Sequence, residues 1–155
     1  MRRTSVFLSV LCLLLSFCAL GQDIPVLENA HLRVALNPQT GALAQFADKA
    51  RARNHIAAPD AAGLWTLALP DGRTIASSAA KTFKWEAPTP ESLSLTWTGF
   101  SIDQAPGLQA TAVVSLTPNK PESRWHIRFE NLGTLAPRAV HFPRVSGIAP
   151  QENET

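Results

Sequence analysis

Residues 28–54 read ENAHLRVALNPQTGALAQFADKARARN, and this stretch decides the fold class. Leu32, Val34 and Leu36 alternate with His31, Arg33 and Ala35, the period of two expected of a strand with one buried face. Asn37-Pro38-Gln39-Thr40-Gly41 then supplies turn chemistry, because Pro38 fixes φ and Gly41 can take a positive φ that costs other residues energy. The chain reverses there, and a second strand is predicted after it. Residues 42–52 are the one part of the chain whose alanines tolerate either a strand or a helix.

Beyond this hairpin, short alternating segments are separated by proline, glycine and aspartate, which predicts an all-β domain. Residues 64–69 are apolar on both faces apart from Thr66 and read as a central strand, closed by the Asp71-Gly72 hairpin signal. Phe83 and Trp85 mark the next strand, which Pro88 and Pro90 are expected to end. Leu93, Leu95 and Trp97 share one face of the following strand, and 103–107 forms a loop. Leu108, Ala110, Ala112, Val114 and Leu116 give the cleanest alternation in the chain. After a turn at 118–121, Trp125, Ile127 and Phe129 face inward while Arg124, His126, Arg128 and Glu130 face out. Residues 139–145 read as a last strand, and Pro143 assigns it to an edge or a bulge. The fold class is therefore an antiparallel β-sandwich.

The order Asn29-x-x-Leu32-x-Val34-x-Leu36, followed by Thr40-Gly41-Ala42-Leu43 and Phe46-Ala47-Asp48-Lys49, resembles the opening hairpin of galactose-mutarotase-like β-sandwich domains. Such domains stand at the N-terminus of large bacterial glycoside hydrolases and related secreted proteins. The likeness returns in Leu64-Trp65-Thr66-Leu67 and in the aromatic-proline segment 141–148, HFPRVSGI. Complete sandwiches of this kind are longer than residues 22–155, and the polar ending QENET gives no structural stop. The resemblance implies a partial supersandwich whose catalytic partner domain lies beyond Thr155.

Arg2 and Arg3 precede an apolar run from Val6 to Leu15, and Ala19-Leu20-Gly21 offers small residues before a cut. This is the layout of a secretory signal peptide over 1–21, with the β-sandwich domain over 22–155 starting near Gln22. The apolar run falls short of the roughly 20 residues that span a bilayer. A secreted or periplasmic protein with no membrane association after cleavage is expected. Both cysteines, Cys12 and Cys18, fall in the signal, so the exported chain must be held by its core and not by disulfides. Removing Arg2 and Arg3 takes the 14 basic residues to 12, equal to the 12 acidic ones. With no basic run or basic-aromatic stripe, nucleic acid is excluded as a partner.

His126, Arg128 and Glu130 share one face of a strand, and His141 is expected on a strand near them. Mutarotases use paired histidines and a glutamate, so His126, Glu130 and His141 are the catalytic candidates. No motif of that family lies over these positions residue by residue, and a solvated charged strand face is the better account of them, so no catalytic role transfers. Asp48, Asp60, Asp71 and Asp103 lie in or beside turns, where Asx turns explain them and a loop Ca²⁺ site is the one metal option. His31, His55, His126 and His141 are scattered without ligand spacing, so no other cofactor is expected. Trp65, Trp85, Trp97 and Trp125 each occupy the apolar phase of a strand and read as core rather than as sugar-stacking platforms.

These observations predict a non-catalytic, carbohydrate-associated domain of a secreted glycoside hydrolase-like protein, scaffolding or shaping a sugar site. Two rivals remain at this level: an autonomous carbohydrate-binding module, and a mutarotase or epimerase acting through the His126, Glu130 and His141 set.

Overall fold

A computed structural model describes residues 24–148. The signal peptide assigned to 1–21, both cysteines and the polar ending lie outside the described residues. The 28–54 stretch forms a hairpin: β2 (Leu32–Leu36) and β3 (Leu43–Asp48) pair antiparallel, flanked by β1 (Val26–Glu28) and β4 (Arg53–Asn54) in the order β1-β2-β3-β4. Asn37 organises the turn, its Oδ1 accepting from the N–H groups of Gln39 and Thr40. Gly41 has φ 71°, and a Cβ there would stand 2.6 Å from the Phe83 ring and 2.7 Å from Trp97. Glycine is required twice over, by backbone conformation and by space. Within residues 42–52 the chain forms the strand Leu43–Asp48 and then a turn over 49–52, with Leu43 and Ala47 buried in the core.

A second sheet has the order β10-β9-β8-β7, formed by β7 (Thr82–Thr89), β8 (Ser92–Thr98), β9 (Gln109–Leu116) and β10 (Ser123–Glu130). The third, β11-β5-β6, joins β5 (Thr66–Ala68), β6 (Thr74–Ala76) and β11 (Ala139–His141), with β5 central as its two apolar faces require. All pairings are antiparallel, and the only helical element among the described residues is a 3-10 turn at Ser77–Ala79. The molecule is an all-β sandwich.

Two strand ends differ from the sequence reading. β7 continues through Pro88 to Thr89, with its register slipping between Glu86 and Thr89. A proline is tolerated there because β7 is an edge strand and needs no N–H on its open side. β11 stops at His141, before the cis Phe142-Pro143 peptide, and the chain leaves the sheet so that Arg144 N–H donates to Leu64 O at 2.8 Å.

β1 packs across β8 and β9, and the core joins Leu27, Val34 and Leu36 to Leu93, Leu95, Val114 and the third sheet's Leu64 and Leu67. On β9, Ala110 lies in register between Trp97 and Phe129, and Ala112 between Leu95 and Ile127. Small residues on the central strand thus make room for large ones on its neighbours. Trp65 is fully buried, edge-on to Trp97 at 6.1 Å and to Phe129 at 5.0 Å. Its Nε1 has no hydrogen-bond partner. Trp65 and Trp97 lie fully inside the core, whereas Trp85 and Trp125 pack against it from its margin and are only half-buried. Both lie on edge strands, where the facing sheet no longer covers the whole indole. No helix among the described residues is long and apolar enough to cross a membrane.

Candidate functional site: an apolar groove beside β10

The half-buried Trp125 opens onto a groove of about 430 Å³, within the range of small-molecule and peptide sites. One wall comes from the first sheet. Leu43 and Phe46 lie on β3, and Asn54 fixes the chain after β4: its Oδ1 accepts from Phe46 N–H and Ile56 N–H while its Nδ2 donates to Ile56 O at 2.7 Å. His55 and Ile56 are thereby held beside Phe46, the His55 and Phe46 rings lying 6.5 Å apart. The opposite wall is β10, where the Trp125 indole donates to Ser123 Oγ at 2.9 Å and meets the Phe142 ring edge-on at 6.2 Å.

The rim is a strap, residues 142–148, carrying Pro143, Val145 and Ile148. Ala57 N–H donates to Gly147 O at 2.6 Å, and Ile148 bridges to Ile56. Gly147 has φ 62°, and a Cβ on it would come within 2.7 Å of Ala58 O, so the strap reaches this backbone only through glycine. Arg144 pins the strap's other end. Its Nη2 and Nε donate to Asp60 Oδ2 at 3.0 and 3.1 Å, and its Nη1 reaches Thr66 Oγ1 at 3.4 Å. Burial acts to raise the Asp60 pKa. It is outweighed by the Ala62 N–H, by Arg144 and by Ser146, which together hold the carboxyl below its usual range. Val145 is 47% exposed and Ile148 64%, so the rim itself is apolar and open.

The sequence candidates fall elsewhere. His126 and Glu130 project from β10, where Glu130 pairs with Arg128 at 2.9 Å, while His141 ends β11 in a different sheet. No hydrogen bond, ion pair or ring contact joins the three. The aspartates serve their turns: Asp48 accepts from Ala50 and Arg51 N–H, Asp60 from Ala62 N–H, and Asp71 from Arg73 N–H. Asp103 lies apart, in a second hollow beside Arg73 and Gln104. The Arg51 side chain lowers the Asp48 pKa, and the Arg73 N–H followed by its side chain lowers that of Asp71. Lys49 and then Arg33 do the same to Glu28. A glycosidase acid needs the opposite shift, upward toward neutrality. Among the described residues no group of three or more His, Cys, Asp or Glu is placed to hold a metal ion.

Phe46, His55, Val145 and Ile148 escaped the sequence reading as site residues. The signals near them were the Phe46-Ala47-Asp48-Lys49 and 141–148 segments, noted for their likeness to other sandwiches and not for chemistry, and His55, weighed only as a metal ligand. No protein-family model matches the chain, and no curated protein matches it.

Proposed function

We propose that this chain is a non-catalytic, carbohydrate-associated β-sandwich domain of an exported glycoside hydrolase-like protein, and that its groove packs against the sugar-processing part and helps shape the sugar site. One observation carries the reading: of the nine residues lining the groove only His55 and Ser123 have polar side chains besides the Trp125 indole, whose N–H is already given to Ser123 Oγ. Such a lining suits an apolar protein surface, whereas a sugar asks for several free hydrogen-bonding groups around its hydroxyls. Export to the periplasm or medium after cleavage near Gln22 belongs to the same reading. The half-exposed Trp125 indole favours a second one, an autonomous carbohydrate-binding module.

The test compares glycan hydrolysis by the product of the complete open reading frame with and without Val145→Asp, which puts a charge on the groove's apolar rim. Lower turnover in the variant, with residues 22–155 alone inert toward polysaccharides, is the expected result. Polysaccharide affinity in the isolated chain that disappears in Trp125→Ala would move the function to the binding module. Turnover by the isolated chain that depends on His126 would replace both readings with an enzyme.

A further inference from the structure

The exposed edge of β10 is unblocked. Its backbone hydrogen bonds go to β9 alone, in an uninterrupted register of eight residue pairs. It holds no proline and no bulge. The strap beneath Trp125 bonds to residues 57 and 64 and leaves this edge free. A strand of this length with open N–H and C=O groups is a template for another strand, and soluble proteins normally blunt such edges.

We propose that the strand which completes it is β10 of a second copy, added antiparallel about a two-fold axis at Ile127, so that two four-stranded sheets become one continuous sheet. The sequence of the strand, SRWHIRFE, is self-complementary in this register. Residues directly opposite each other in an antiparallel pair share a face, so registers that set Trp125 against Arg128 are excluded. Among the allowed ones, centring on Ile127 places Arg124 opposite Glu130 at both ends, Trp125 opposite Phe129 at both ends, and Ile127 opposite itself. His126 falls opposite Arg128, whose guanidinium already faces Glu130 of its own strand. Moving the centre to His126 sets Arg124 against Arg128 twice, and moving it to Arg128 sets that residue against its own copy. Centring on Ile127 is therefore the long register that pairs opposite charges, and an isologous contact of this kind closes at two chains.

This inference stands apart from the carbohydrate reading, because it concerns the strand edge and its test measures mass rather than sugar. Sedimentation of the secreted chain at concentrations up to about 1 mM should give a monomer–dimer equilibrium. Arg124→Glu faces two carboxylates at each end of the paired strands and should weaken association about tenfold or more, as should Glu130→Arg by facing two guanidinium groups. The double variant Arg124→Glu/Glu130→Arg restores opposite charges and should regain the dimer. Position 124 is exposed and Glu130 partly so, and thermal melts by circular dichroism verify that each variant is folded. A monomer at every concentration, an oligomer larger than two, single variants that associate as well as the parent, or a double variant no better than the singles would each overturn the assignment. Slow exchange in a monomer at those amides of Ser123–Glu130 that point away from β9, marking another strand on that edge, would overturn it as well.

Discussion

The two edges of the β10-β9-β8-β7 sheet are built to opposite ends. β7 is closed. Pro88 removes a donor, the register slips between Glu86 and Thr89, and the turn at 37–41 is tied beneath its neighbour, with Trp97 Nε1 donating to Thr40 O at 2.9 Å. Phe83 lies over that turn with its ring 5.2 Å from Trp97. β10 has regular pairing, no proline, an inward face of Trp125, Ile127 and Phe129 that the first sheet covers only in part, and a strap in place of a turn. Both strands alternate aromatic and charged residues, so composition does not separate them. What separates them is the backbone of each edge: β7 lacks a donor at Pro88 and slips register, whereas β10 keeps eight regular pairs and an edge that another strand can extend.

The largest effect separates a tryptophan beneath the facing sheet, Trp97 on β8, from one on the open edge, Trp125 on β10. Trp97→Ala should cost about 3–5 kcal/mol, as full burial of an indole implies. Trp125→Ala should cost about 1–2 kcal/mol, because part of its area stays in water throughout. Urea denaturation of the two variants measures the difference, and equal losses would mean that the β10 edge is covered as deeply as the interior of the sheet.

Gly41→Ala probes the closed side through its turn. Positive φ costs about 1 kcal/mol and the overlap with Phe83 and Trp97 adds about 1–2 kcal/mol, so a loss of about 2–3 kcal/mol is expected in the same assay. A loss under about 1 kcal/mol would show that the two rings can give way.

Asp60→Asn tests the strap on the open side. Because the folded pKa of Asp60 lies below its ordinary value, its contribution is present above that value and disappears as pH falls through the lower, folded one. The variant should therefore be less stable than the parent by about 1–2 kcal/mol at neutral pH, with the gap closing below about pH 4. Thermal melts across that range decide it, and a gap that persists in acid would mean that Asp60 acts through packing and not through its charge.

The smallest expected effect on stability is that of Pro88→Thr, within about 0.5 kcal/mol for an exposed edge position. Its value lies in association. Restoring an N–H donor to β7 should increase self-association measured by light scattering if proline is part of the block. No increase would leave the register slip as the device that closes this edge.

Most of the strands were legible because a β-strand with one buried face writes its period into the sequence. The hairpin at 28–54, the β8 and β9 alternations and the Asp71-Gly72 turn each depend on residues close in sequence, and each lies where it was expected. The end of β7 was misplaced because whether a proline breaks a strand depends on which side of that strand is paired. The groove was not legible at all. Phe46, His55, Trp125 and Val145 come from three segments far apart in the chain, and nothing local to any of them indicates that they share a cavity.

Local sequence is enough for the fold class, the turn at Gly41 and the inward phase of every tryptophan, since these follow from backbone sterics and from a period of two. Tertiary structure alone decided how deeply each of those side chains is buried. Trp97 and Trp125 occupy the same phase of similar strands, yet one lies beneath the facing sheet and the other beside its edge. Burial depends on what the rest of the chain brings to the other side, and strand order, which no local pattern encodes, sets that.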